Sequence, residues 1–212
     1  MTTPIVHAKG SHLVKLNPAW DWVNRGAAAD EEEGTGEPVL ADSCPIENQN
    51  NDQECAMRGS YAAVAQSFTA TGGKLHSVKF YLKRNTGTDP VQIVAQLWNM
   101  TGTLGQNSSP VGAPLATSAP MDSELVPEAP AGALFEFLFD DTFELVAGTD
   151  YCIGAENLAG ALTMGRISFG ANISLAREGS VHAGNYAERS PIPAIWNPNG
   201  GADLTFYLYA MP

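Results

Sequence analysis

Two neighbouring stretches set the pattern of the chain. In KLHSVKFYLKR (residues 74–84), Val78, Phe80 and Leu82 alternate with Ser77, Lys79, Tyr81 and Lys83. In VQIVAQLWN (residues 91–99), Val91, Ile93, Ala95 and Leu97 alternate with Gln92, Val94, Gln96 and Trp98. A period of two over β-forming residues predicts strands with one dry and one wet face. The NTGTDP linker between them consists of turn residues, so the two read as a long antiparallel pair. The apolar face of such a pair needs a second sheet to cover it.

Further strands follow the same pattern. They are expected at AVAQSFT (63–69), ALFEFLF (133–139), Thr142 to Val146, YCIGAE (151–156), Leu162 to Phe169 and LTFYLYA (204–210). Residues 102–130 are rich in Gly, Ser and Pro and read as a loop with at most a short edge strand near Pro114 to Ala116. Residues 174–198 read as loop-rich, carrying Asn185-Tyr186 and Ile195-Trp196-Asn197. About seven to nine strands in some 150 residues fit a β-sandwich. Strand parity places Val78, Phe80, Leu82, Ile93, Leu97, Phe135, Phe137, Ile153, Phe206 and Leu208 in one interior, with Tyr81, Thr205, Tyr207 and Tyr209 facing outward.

Residues 1–60 follow another logic. Ile5, Val6, Leu13, Leu16, Trp20, Trp22 and Val23 keep no clean period, and residues 26–37 (GAAADEEEGTGE) are acidic and rich in Gly and Ala. Such a composition cannot bury enough apolar surface to fold alone. The expected layout is an N-terminal arm and acidic hinge over 1–60 and a sandwich domain over 61–212. Trp20 and Trp22, with Leu13 and Leu16, are the arm's candidate anchors on a partner protein, because tryptophan supplies large contact area at interfaces.

Composition narrows the function. The net charge is −12 over 212 residues, with only 16% charged residues. A nucleic-acid partner is not expected, because phosphates demand a basic footprint. No apolar run approaches the roughly 20 residues of a membrane span. Residues 1–10 lack the basic start and apolar core of a secretory signal, so synthesis and folding in a cytosol are expected. Three cysteines do not make a disulfide framework. Cys44 and Cys55 stand eleven positions apart in a polar stretch and could be a disulfide or two free thiols. Cys152 reads as a small buried side chain.

The runs QSFTATGGKLHSVKFYLKR, IVAQLWNMTGTLG, PLATSAP and FELVAGTDYCIGAEN, closed by DLTFYLYA, bear a likeness to a family. Their order over residues 65–210 resembles the jelly-roll domains, akin to carbohydrate-binding modules, that occur in phage structural proteins and bacterial surface proteins. The resemblance implies an all-β, jelly-roll-type antiparallel sandwich with an extended arm. It implies either a particle part or a sugar binder, since one such fold hosts several functions.

Candidate chemistry is sparse. His7, His12, His76 and His182 are scattered, and no nucleophile elbow, HExxH or phosphate loop occurs, so no catalytic residue is assigned and no enzyme is expected. Asp140-Asp141 could offer oxygens to Ca²⁺, but two carboxylates at a turn do not specify the roughly six to eight it needs. No metal or cofactor is expected. Tyr81, Tyr207, Tyr209 and Trp196 are the candidate surface aromatics for a sugar or a protein, with packing of Tyr81 under a loop as the plain alternative. The expectation is a non-enzymatic virion structural protein, such as a phage head decoration, held by its arm. It would be made in the host cytoplasm and assembled with a major capsid or tail protein, and copies of the chain could self-associate. The alternative is an adhesin module that binds a host glycan.

Overall fold

A computed structural model describes residues 36–48, 54–59, 61–159, 162, 164–173, 182–191 and 193–212. Among the described residues fourteen strands run in chain order: β1 (Val39–Cys44), β2 (Glu54–Arg58), β3 (Ala63–Thr69), β4 (Lys74–Arg84), β5 (Gln92–Thr101), β6 (Ser109–Thr117), β7 (Met121–Asp122), β8 (Ala133–Leu138), β9 (Asp150–Asn157), β10 (Arg166–Ile173), β11 (Tyr186–Arg189), β12 (Trp196–Asn199), β13 (Ala202–Leu204) and β14 (Phe206–Met211). Sheet A holds β1, β2, β4, β8, β10, β13 and β14; sheet B holds the other seven. The named strand pairs are antiparallel throughout.

Eight strands carry the architecture. Sheet A runs β1-β14-β4-β8 and sheet B runs β3-β9-β5-β6. Renumbered among themselves these are 1-8-3-6 and 2-7-4-5, the double Greek key of a jelly roll. The strands β10 to β13 elaborate the path between β9 and β14.

β4 and β5 both form, but they lie in different sheets and do not pair with each other. Each carries a full apolar face, and the two faces meet across the interior instead of lying side by side. The linker crosses the sandwich and is fastened there. The Thr88 hydroxyl donates to the Asn85 carbonyl at 2.6 Å and accepts the Arg166 N–H at 3.2 Å. Phe80 sits at the centre of the core, edge-on to Phe137 at 6.1 Å and to Phe169 at 5.7 Å between ring centroids. Val78, Leu82, Ile93, Leu97, Ile153, Phe206 and Leu208 are buried around it. Phe135 is only partly buried against this cluster, because β8 is the rim of sheet A.

Three boundaries differ from the sequence reading. β1 and β2 lie within the stretch read as an arm, yet β1 pairs with β14 and β2 with β10, and the compact unit is Gly36–Pro212. VLADSC shows no alternation because β1 is an edge strand with a bulge between Leu40 and Asp42. β6 occupies part of the expected loop over nine residues despite Pro110, Pro114 and Gly112. An edge strand tolerates such residues, since one side of its ladder has no partner. The last strand divides at Thr205, which is buried rather than outward and donates its N–H to the Gly170 carbonyl at 2.7 Å. Leu13, Leu16, Trp20 and Trp22 lie outside the described residues.

Emptying the centre is the sharpest test of this core. Phe80→Ala should cost about 3–5 kcal/mol in urea unfolding; a loss under about 1 kcal/mol would mean that Phe80 is not interior. A chain of residues 36–212 should unfold in one cooperative transition. A chain that starts at residue 61 lacks β1 and β2, one partner each of β14 and β10, and should not; equal transitions for both chains would contradict the boundary.

Candidate functional site

The outer face of sheet A gathers the three tyrosines. β4 and β14 are adjacent, with Tyr207 opposite Lys79 and Tyr209 opposite Ser77. Cross-strand pairing extends the Tyr209 row to Leu40 on β1 and Leu138 on β8. Both leucines are 53% exposed, and Leu134, opposite Tyr81, is 44% exposed. The result is a row, Leu40–Tyr209–Ser77–Leu138, in which the exposed leucines and half-buried Tyr209 flank a buried Ser77 whose hydroxyl donates to Glu136 at 2.8 Å, beside a polar row in which Lys79 lies 3.7 Å from Glu136. The Lys79 ammonium also stands 4.8 Å from the Tyr209 ring centroid, within cation–π range. Tyr207 accepts the Ile46 N–H on its phenol oxygen at 3.0 Å. Tyr81 packs against Gly132, where a Cβ would come within 2.5 Å of its ring, so the chain entering β8 covers part of it.

Trp196 lies elsewhere. It opens β12 on the outer face of sheet B and meets the buried Trp98 edge-on at 5.5 Å. Ala65 and Cys152 complete this small cluster, and the Arg189 guanidinium stands 5.5 Å from the Trp196 ring. The four candidate aromatics therefore divide between two opposite faces.

The two described histidines have assigned tasks. His182 accepts the Gly184 N–H on Nδ1 at 2.9 Å, so its neutral ring carries hydrogen on Nε2 and donates to Asp42 at 3.0 Å. With both ring nitrogens engaged, an Asp–His pair of this form offers no base to a substrate. His76 bonds Asp141 through Nδ1 at 2.9 Å. Asp140 instead accepts the Thr142 hydroxyl at 2.7 Å and its N–H at 3.2 Å, bonds that hold its carboxyl below the usual range. The adjacent acids thus serve two separate turns. Among the described residues no group of three or more His, Cys, Asp and Glu could hold a metal ion.

The structure also assembles a feature that the sequence reading did not single out. A cleft of about 570 Å³ is lined by Gly105, Gln106, Glu188, Asn197, Asn199 and the turn Gly200-Gly201, with Pro198. A smaller hollow of about 160 Å³ shares Glu188 and Asn199 and adds Arg58, Arg166 and Tyr186. Register explains the lining. Glu188 pairs with Asn197 and Tyr186 with Asn199, and across β11 these positions align with Val64 and Gln66. The face that points into the core on β3 turns polar on β11 and β12. The Tyr186 hydroxyl donates to Glu188 at 2.9 Å. Tyr61 also bonds Glu188, which raises its phenol above the ordinary value. The only signal in the sequence was a run of amides around Trp196. No family model, curated protein or solved structure matches this chain.

Cys44, Cys55 and Cys152 are free and buried. Burial first, then Asp203 and Asp42, pushes the Cys44 thiol from 9.0 up to about 12. Burial likewise raises Cys55 and Cys152. A folded-state thiol that titrates above its unfolded value contributes stability below pH 9.0, and that contribution is lost as pH rises toward 12. Denaturant midpoints should therefore fall between pH 9 and pH 12. At pH 8 a thiol-reactive dye should label the native chain hardly at all and the unfolded chain at all three cysteines. Fast labelling of the native chain would contradict this burial.

Proposed function

We propose that this chain is a non-enzymatic structural protein of a virion, displayed on the particle surface and seated on a neighbouring protein subunit. The observation that carries the reading is the pair of exposed leucines, Leu40 beside the half-buried Tyr209 and Leu138 on the far side of the buried Ser77, on the outer face of sheet A, with the exposed Leu134 further along β8. Exposed leucines beside partly exposed tyrosines are the kind of surface that protein partners cover. Lys79 and Glu136 supply a polar row next to it, as in the rim of an interface. Support for a non-catalytic role comes from His182, whose ring is spent on Gly184 and Asp42. On sequence grounds, the arm with Trp20 and Trp22 adds a second anchor in this reading.

A variant with Tyr209→Asp and Leu138→Asp should keep its circular dichroism spectrum and lose its place in purified particles. Particle proteomics with the unmodified chain should find it at a fixed ratio to the main shell or tail protein. Absence of the unmodified chain from particles would refute the virion reading. Full incorporation of the double variant would refute the docking face. The other reading, recognition of a host glycan, draws its support from the polar cleft.

A further inference from the structure

The β4–β5 linker turns at one pole of the sandwich, and chain segments on either side of it bring apolar side chains into water there. Leu125, Met164 and Leu158 are 66%, 61% and 56% exposed, three of the four most exposed large apolar side chains among the described residues. Backbone bonds hold them around the linker. Ser123 and Leu158 donate their N–H groups to the Val91 and Gln92 carbonyls at 2.9 and 3.0 Å. The Met164 N–H donates to the Asp89 carboxylate at 2.9 Å. Leu125 closes the short turn Ser123–Leu125. Pro90, Val91, Gln92, Leu158 and Ala159 line an open hollow of about 390 Å³ beside them. Large apolar side chains held in water by a fixed backbone mark a contact surface.

Charge narrows what covers this tip. Asp89, Asp122, Glu124 and Glu128 belong to the same segments. The cations beside them are engaged: Arg84 with Glu128 at 3.1 Å and the Val126 carbonyl at 2.8 Å, Arg166 with Asn85 at 3.3 Å. A second tip would set acid against acid. A lipid surface is met best by basic residues around the apolar ones, and here the rim is acidic. The matching partner carries apolar side chains among basic ones.

The chain itself contains such a segment. Residues 5–25 hold Ile5, Leu13, Leu16, Trp20 and Trp22 together with Lys9, Lys15 and Arg25, against the single acid Asp21. From residue 36 onward the chain carries eight basic residues against eighteen acidic ones. Geometry assigns the segment to a different molecule. Gly36 lies at the far pole: a Cβ there would come within 2.7 Å of the Pro212 ring, and Met211 pairs with Lys74, the first residue of β4. The tip begins where β4 ends at Arg84, about 34 Å further along the strand. Residues 24–35 reach only about 40 Å at full extension. A chain would have to pull this linker taut along the whole domain to reach its own tip. A neighbour placed head to tail presents its tip where the linker starts.

We propose that residues 5–25 of one copy dock on the apolar tip of another, formed by Leu125, Leu158 and Met164, so that copies join head to tail. Donor and acceptor are different surfaces, so the contact propagates into a ring or a filament instead of closing as a two-fold pair. The inference shares with the proposed function only the arm's role as an anchor; it needs neither the particle nor the outer face of sheet A.

Sedimentation of the full chain tests it. The parent should associate by about 0.5 mM. Raising salt from about 0.05 to 0.5 M should weaken that association several-fold. Two variants each remove one half of the contact: Leu158→Lys with Met164→Lys at the tip, and Trp20→Ser with Trp22→Ser in the arm. Both should keep the parent's circular dichroism spectrum and self-associate at least roughly tenfold more weakly. Mixed together they should form a heterodimer that grows no further, since one intact arm and one intact tip remain between them. The Tyr209→Asp and Leu138→Asp variant should associate like the parent. The proposal is overturned if the full chain stays monomeric at about 0.5 mM, if either variant associates as tightly as the parent, if the mixture gives no heterodimer, or if high salt leaves association unchanged. Phosphatidylcholine vesicles that bind a monomeric parent and not the tip variant would overturn it too, because the tip would then be a lipid contact.

Discussion

A buried polar seam joins the two sheets and links β3 to the strands at both ends of the roll. Gln66 on β3 and Asp203 on β13 are both fully buried, and the Gln66 amide donates to the Asp203 carboxylate at 3.1 Å. A buried carboxylate without partners would cost several kcal/mol, so the seam must be complete. It is: the His182 N–H donates to the other Asp203 oxygen at 3.2 Å, and the Gln66 side-chain oxygen accepts the Leu204 N–H at 2.8 Å. His182 then reaches Asp42 on β1 and packs edge-on to Phe206 at 5.3 Å. The seam thereby ties the first and last strands of the roll to the middle of sheet B.

On one side of this seam the interior is apolar. Ile93, Leu97 and Ile153 from sheet B face Val78, Phe80 and Leu208 from sheet A. On the other side the same face of sheet B carries Tyr186, Glu188, Asn197 and Asn199. A sandwich whose core ended in apolar residues there would close over them. Polar lining removes the drive to close, and the space persists as the cleft. The exposed leucines and half-buried tyrosines lie on the outer face of sheet A. The leucines and tyrosines of sheet A and the polar cleft thus lie on different surfaces of one frame.

Period-two alternation made β3, β4, β5, β8, β9 and β14 legible, because each has a face buried against the opposite sheet. It could not reveal β1 or β6. Both lie at sheet edges, where Val39, Leu40 and Val111 are exposed and the burial pattern no longer writes itself into the residues. Nor could parity tell that β4 and β5 belong to different sheets, since a hairpin and a crossover need the same apolar faces. The tyrosine face was readable because its members lie on two strongly patterned strands. The cleft was not, because Gln106, Glu188 and Asn199 come from separate segments and meet only through the β11–β12 pairing and a glycine-clamped turn. Gln66 within AVAQSFT looks like a lapse in an apolar run, and its reason appears only once Asp203 stands opposite.

The seam is tested most directly by a double-mutant cycle on Gln66→Ala and Asp203→Ala, read as unfolding free energies in urea. Each single change should destabilise the chain, since it strands a buried polar partner. The double change should cost less than the sum, with a coupling of at least about 1 kcal/mol. Strict additivity of the two costs would show that the sheets do not depend on this bond and would contradict the account.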